Sequence, residues 1–103
     1  MPTSQGTFRW TAPNRADAEF DIDGTSSRCV ITLSRPVQDF GKTSATLDYE
    51  DIEQLSGTHF FDGHIGRADF ETDFYNAPKI QGNLDSLIDQ YIFVDGNGMW
   101  THS

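Results

Sequence analysis

Ala18-Glu19-Phe20-Asp21-Ile22-Asp23 and Ala68-Asp69-Phe70-Glu71-Thr72-Asp73-Phe74 are the two stretches of this sequence that decide its fold. In both, acidic residues alternate with apolar residues or threonine. A period of two places successive side chains on opposite faces of a β-strand. Each stretch is therefore predicted to be a strand that buries one face and exposes carboxylates on the other. We call Glu19, Asp21 and Asp23 the first acidic file, and Asp69, Glu71 and Asp73 the second acidic file.

Alternation or a short apolar run predicts further strands around these two stretches. They cover residues 7–11, 28–34, 59–61, 64–74, 91–94 and 99–102. The short loop at residues 24–27 predicts an antiparallel hairpin. Asp62-Gly63 favours a two-residue type I′ turn, and Asp95-Gly96-Asn97-Gly98 favours another reversal of the chain. A mostly antiparallel sheet of about five to seven strands is expected.

Two segments have helical spacing instead. Between residues 47 and 57, Asp48 suits the N-cap, Ile52 and Leu55 are three apart, and Gly57 suits the position after the helix. In residues 83–91, apolar side chains stand at positions 84, 87, 88 and 91. One or two short helices are predicted. The expected fold is therefore α+β, with a single domain over residues 1–103.

Composition limits the partners of this chain. It has 7 Lys and Arg against 16 Asp and Glu, so the formal net charge is −9. A field of this sign repels nucleic acid and anionic membranes and speeds encounter with basic proteins. We expect no direct binding to nucleic acid or membrane, and we expect a protein partner with a basic surface.

The cellular compartment follows from two observations. Cys29 is the only cysteine, and its phase with Ile31 and Leu33 predicts a buried core residue without a disulfide. The first six residues lack the charged and apolar regions of a signal peptide, and no apolar run approaches the roughly 20 residues that span a bilayer. A cytoplasmic protein, monomeric or homodimeric, is expected.

Metal and catalytic motifs are weak in this sequence. Imidazole and carboxylate groups occur together at His59, Asp62, His64 and Asp69, a mixture that can bind a divalent metal. The odd separation of the two histidines predicts different strand faces. In Asp21-Ile22-Asp23-Gly24, a calcium-loop spacing puts Val30 where a closing Glu belongs. No nucleophile elbow or phosphate loop is present, so no metal, cofactor or catalytic residue is expected.

The two acidic files predict a surface for a basic partner. Small acidic proteins of this kind resemble, in character, toxin-immunity proteins and phage-encoded anti-defence (anti-CRISPR or anti-restriction) inhibitors, whose carboxylates cover a basic and in some cases nucleic-acid-binding surface. The predicted partner-binding residues are the two files with one aromatic anchor: Glu19, Asp21, Asp23, Asp69, Glu71, Asp73 and Tyr75.

Other functions predict other surfaces. A subunit or adaptor of a larger assembly, such as a phage particle, would leave an apolar patch or an unpaired strand edge. A small enzyme with a carboxylate and histidine site would need a concave pocket with converging polar groups. General adaptation to salt would spread the acids evenly. The inhibitor hypothesis requires both acidic files on one face, and it loses its main support if they lie on opposite sides.

Overall fold

Eight antiparallel strands close into a barrel in the computed structural model, which describes residues 3–102. Met1, Pro2 and Ser103, which belong to the expected 1–103 domain, lie outside the described residues. The strands are β1 (Thr3–Ala12), β2 (Arg15–Ile22), β3 (Thr25–Leu33), β4 (Lys42–Asp48), β5 (Gly57–Gly66), β6 (Asp69–Phe74), β7 (Lys79–Asn83) and β8 (Tyr91–His102). Their order around the barrel is β1-β2-β3-β8-β5-β6-β7-β4, and β4 pairs again with β1. Every described strand therefore has a neighbour on both sides.

The predicted α+β class is wrong, and the first predicted helix shows why. Its region contains only a 3-10 turn, Ile52–Gln54, which is the one helical element of residues 3–102. Asp48 does not cap it, because Asp48 ends β4 in register with Thr3 and Lys79. Asp51 is the N-cap, and it forms a capping box with Gln54. The helix signals are real, but the chain must begin β5 at Gly57 and leaves room for a single turn.

The second predicted helix is an irregular loop at residues 84–90. Its backbone is attached to the turn between β5 and β6: Leu84 N–H donates to the carbonyl oxygen of Ala68 at 2.7 Å, and Ile88 N–H donates to that of Arg67 at 3.0 Å. Leu84 and Ile88 are buried, whereas Leu87 is exposed. Two buried residues four apart thus produce helical spacing without a helix.

The predicted turns at Asp62-Gly63 and in residues 95–98 are also wrong. Asp62-Gly63 lies within β5, and β5 turns into β6 after Gly66, which pairs in register with Asp69 and forms no bulge. Residues 95–98 lie within β8. A Cβ atom on Gly63 would overlap the carbonyl oxygen of Glu71 on β6. That glycine permits close approach of two strands, a second common role of glycine besides turns.

The hairpin of β2 and β3 is confirmed. All eight residues of β2 pair with β3, from Arg15 with Thr32 to Ile22 with Thr25. The turn is tighter than predicted, because Asp23 and Gly24 make it with φ values of 53° and 80°. Cys29 is buried in phase with Ile31 and Leu33, as predicted. Burial raises the pKa of its thiol well above the ordinary value.

Aromatic rings fill the barrel interior. Phe8 on β1 stacks between Phe40, from the β3–β4 loop, and Phe70 on β6, with ring centroids 5.4 and 4.2 Å away. A second group joins Phe74 to Phe61 and Trp100. All six rings are buried. Small barrels are filled by side chains in this way, so the outer surface is where a partner can bind. No helix in residues 3–102 is long and apolar enough to cross a membrane.

Candidate functional site

The two acidic files lie on opposite sides of the barrel. The first file belongs to β2 and the turn that follows it, and the second belongs to β6. In the strand order, β2 and β6 are four positions apart in either direction. The predicted partner surface therefore divides into Glu19, Asp21 and Asp23 on one side, and Asp69, Glu71, Asp73 and Tyr75 on the other. The inhibitor hypothesis in its two-file form loses its main support.

Basic side chains lie near the first file, although none of them comes within ion-pair distance of Glu19, Asp21 or Asp23 among residues 3–102. Asp17, on the same outer face of β2, is buried and lies 2.5 Å from the Arg28 guanidinium and 3.5 Å from that of Arg9. The hydrogen bond to Asp17 raises the pKa of Arg28 above its ordinary value. Glu19 is directly opposite Arg28 on β3, and Lys42 is directly opposite Arg9 on β4. This side of the barrel is a mixed-charge surface.

One member of the second file, Asp73, belongs to a row of carboxylates that face one another. Asp62 on β5 is directly opposite Asp95 on β8 and directly opposite Asp73 on β6. Like charges directly opposite each other destabilise a sheet. On the next strand, β7, Lys79 Nζ is 3.6 Å from Asp73 Oδ1. Asp62 and Asp95 form no ion pair with any residue between 3 and 102. We call Asp62, Asp73 and Asp95 the carboxylate row.

Two pKa shifts show how negative this surface is. The pKa of Glu71 is raised, first by hydrogen bonding to Asp73, then by partial burial and the charge of Asp73, against smaller opposing effects of Lys79 and His64. The pKa of Tyr75 is raised, mainly by the negative charge of Asp62, whose Oδ2 accepts a hydrogen bond from the Tyr75 hydroxyl at 3.3 Å. Both shifts favour the form with less negative charge.

Exposed aromatic rings border the carboxylate row. Phe60, Tyr75 and Phe93 are 64%, 70% and 71% exposed, and Tyr91 is exposed as well. Aromatic side chains are enriched among the residues that contribute most to protein interfaces. We define the aromatic–acidic face as the outer surface formed by β5, β6 and β8, comprising Phe60, Asp62, His64, Asp69, Glu71, Asp73, Tyr75, Tyr91, Phe93 and Asp95.

A shallow groove of about 570 Å³ crosses this face. The outward side chains that line it come from three strands: Asp62 lies directly opposite Asp95, and His64 lies between Phe93 and Glu71. Arg35, in the chain after β3, lines the rim. The groove thus combines the Phe93 ring and three carboxylates with the His64 imidazole and the Arg35 guanidinium.

The histidines do not form a metal centre with the nearby acids. His59 and His64 lie on opposite faces of β5, where His59 is directly opposite Gly98 and His64 is directly opposite Phe93. His64 Nε2 is 3.0 Å from Asp69 Oδ1, and its ring stacks on Tyr91 with centroids 4.9 Å apart. Among residues 3–102, no group of three or more His, Cys, Asp or Glu side chains is placed to hold a metal ion.

Sequence reasoning missed the contribution of β5 and β8. Phe60, Asp62, Phe93 and Asp95 were not predicted as binding residues, because Asp62 was assigned to a turn and residues 91–94 to a buried strand. The useful signal was present: Tyr91, Phe93 and Asp95 alternate with Ile92 and Val94. Alternation of that kind places the first three on one outer face.

No protein-family model matches this chain, and neither curated proteins nor solved structures include a significant match to it. The chemistry of the aromatic–acidic face is therefore the guide to function. Two properties of that face are decisive: the unpaired carboxylates at its centre and the exposed rings at its border.

Proposed function

We propose that this protein binds a basic region of another protein through the aromatic–acidic face and thereby blocks that region. The carboxylate row is the observation that supports this function. Asp95, Asp62 and Asp73 face one another across three strands, at a cost in stability. A cationic partner removes that cost, and proteins often give up stability at a site that serves function.

The proposed mechanism has two steps. The net charge of −9 attracts the basic partner over a distance comparable to the Debye length, which is about 8 Å at physiological salt. In contact, the partner's Lys or Arg side chains pair with the carboxylate row, and the rings of Phe60, Tyr75 and Phe93 anchor its apolar atoms. The first acidic file has no part in this, because it lies on the opposite side of the barrel, close to Arg9, Arg28 and Lys42.

The proposed target has a basic functional surface, such as the nucleic-acid-binding surface of a toxin, a nuclease or a defence complex. The protein acts by occlusion and without catalysis in this proposal, and it acts in the cytoplasm. The unpaired, buried Cys29 suits a reducing compartment.

A pair of triple variants tests the function. Asp62→Asn, Asp73→Asn and Asp95→Asn together remove the charge of the carboxylate row and keep side-chain size. Glu19→Gln, Asp21→Asn and Asp23→Asn remove the same number of charges from the first acidic file. The wild-type chain and both variants are immobilised, proteins of the native host are captured, and the dissociation constant of each captured protein is measured after purification.

We expect the carboxylate-row variant to bind its partner at least about tenfold more weakly, while the first-file variant stays within about twofold of wild type. Removal of cross-strand repulsion should leave the carboxylate-row variant at least as stable as wild type in a thermal melt, so lost binding is not explained by unfolding. Equal losses in the two variants would mean that net charge alone governs binding, and the proposed face would be wrong.

The exposed rings also favour a second candidate, a subunit or adaptor of a larger assembly. Closure of the barrel removes the unpaired strand edge that such a subunit could use, but Phe60, Phe93 and Met99 remain exposed apolar residues on β5 and β8. Salt separates the two functions. Binding dominated by the carboxylate row weakens steeply as salt is added, whereas assembly through apolar rings does not.

A further inference from the structure

The groove on the aromatic–acidic face has features that suit one particular cation. We propose that it receives an arginine side chain of the basic partner, with the guanidinium stacked on Phe93 and paired with Asp62 and Asp95. This inference depends on the proposed function and adds the identity of the residue that the face recognises.

The Phe93 ring lies beside the carboxylates of Asp62 and Asp95. Phe93 and Asp95 stand two residues apart on the outer face of β8, and Asp62 is directly opposite Asp95. The Phe93 ring is 71% exposed and lines the groove together with both carboxylates. A cation over an aromatic ring is attracted by the ring's electrons, and arginine is found in such contacts more often than lysine.

The arrangement of the two carboxylates, Asp62 and Asp95, matches the geometry of a guanidinium. Directly opposite residues of antiparallel strands have Cα atoms roughly 4.5–5.5 Å apart, so Asp62 and Asp95 present two carboxylates side by side. A planar guanidinium has five donors in a fixed fork and can bond to both carboxylates at once, while a lysine ammonium is a compact, strongly hydrated charge. Arginine also loses its hydration at lower cost when its face is covered by a ring.

Two of the groove carboxylates, Asp62 and Asp95, have no cationic partner among residues 3–102. The His64 ring is held by Asp69 and Tyr91, and Lys79 lies against Glu71 and Asp73 on the far side from β8. Arg35 lines the rim but forms no ion pair among residues 3–102. Asp62 and Asp95 therefore remain available for a cation supplied by the partner.

Peptide binding tests this inference without knowledge of the partner. Hexa-arginine and hexa-lysine, both capped at their termini, are titrated at physiological salt against wild type and the variants Phe93→Leu and Phe93→Tyr. We expect wild type to bind hexa-arginine at least about threefold more tightly than hexa-lysine. Phe93→Leu should lower that ratio to the preference that the two carboxylates alone give a guanidinium, and Phe93→Tyr should keep it, because tyrosine retains an aromatic face.

A matched pair of substitutions locates the binding. Asp62→Asn should weaken hexa-arginine more than Asp21→Asn, which lies on the opposite side of the barrel. If both peptides bind wild type equally, or if Phe93→Leu leaves the ratio unchanged, the arginine inference is overturned while the proposed function stands. If Asp62→Asn and Asp21→Asn weaken both peptides equally, the aromatic–acidic face is not the binding surface, and the inference fails together with the proposed function.

Discussion

On the outer face of β2, Asp17 and Glu19 stand beside arginines, whereas across β5, β6 and β8 three aspartates stand directly opposite one another. Among residues 3–102, only one of these three, Asp73, has a cation, Lys79, within ion-pair distance. Asp17 lies within ion-pair distance of Arg9 and Arg28, and Glu19 faces Arg28. Asp62 faces two aspartates. The sequences of β2 and β6 are similar in pattern, and the difference arises from the strands that flank them.

A file of acidic residues on a strand can therefore stabilise or destabilise a sheet, depending on the charges of the neighbouring strands. Opposite charges across adjacent strands stabilise a sheet, and like charges destabilise it, by roughly 0.2–1 kcal/mol for each pair. The first acidic file therefore lies on the side of the barrel where opposite charges stabilise the sheet. The carboxylate row costs stability, and the proposed binding of a cationic partner would offset that cost.

The largest expected effect on the free energy of unfolding comes from a substitution in the aromatic interior, which lies between the two sides of the barrel. Phe8 on β1 stacks on Phe70, which lies between Asp69 and Glu71 on β6. Phe8→Ala leaves a cavity in this stack and should lower the free energy of unfolding by about 3–5 kcal/mol, measured by urea denaturation.

The matched control is Phe93→Ala, which removes an exposed ring and should change stability by no more than about 0.5 kcal/mol. If both variants lose the same stability, then either Phe8 is not a core residue or Phe93 is not a surface residue. In that case the barrel does not separate the two files as described.

The next effect separates a paired carboxylate from an unpaired one on the same strand. Asp17→Asn removes the charged acceptor shared by Arg9 and Arg28 and should cost about 1.5–3 kcal/mol, the usual range for a hydrogen bond to a charged group. Asp21→Asn, on the same outer face but exposed, should change stability by no more than about 0.5 kcal/mol. Urea denaturation at neutral pH measures both. Equal values for the two variants would contradict the structural role of Asp17.

The sequence predicts the faces of the strands but not their neighbours. Phe20, Ile22, Phe70 and Phe74 are buried as the period-two pattern requires. The angle between the two files around the barrel depends on which strands pair. Both routes from β2 to β6 include a pairing between strands distant in sequence: β3 with β8 in one direction and β1 with β4 in the other. A local period contains no information about that order, so the sequence could pose the question of one face or two but could not answer it.

The two turns wrongly predicted within β5 and β8 have a shared physical cause. Glycine suits turns, and it also suits places where neighbouring backbones come close, as Gly63 does against Glu71. The sequence does not distinguish these roles, and so the prediction divides β5 and β8 each by a turn.

The strand β4 is not predicted from the sequence, although Thr43, Ala45 and Leu47 alternate, because Asp48 is assigned to a helix cap. The short strand β7 offers only Ile80 as a buried anchor.

The smallest effect is the sharpest test of the comparison, because it uses the same substitution on both sides. The pKa of folded Glu71 is raised by hydrogen bonding to Asp73, so the folded protein binds this proton more tightly than the unfolded chain does. The stability linked to that proton is present at low pH and is lost as pH rises through the folded pKa. Glu71→Gln avoids the loss and should stabilise the protein at neutral pH by a few tenths of a kcal/mol.

That gain should disappear below the ordinary Glu pKa of 4.5, where Glu71 is protonated in the folded and the unfolded chain alike. Glu19→Gln removes an attraction to Arg28, which lies directly opposite on β3, and should destabilise the protein slightly at neutral pH. Thermal melts of the two variants across this pH range measure both effects. Opposite signs at neutral pH are required, since a common sign would mean that the flanking strands do not decide what each carboxylate does.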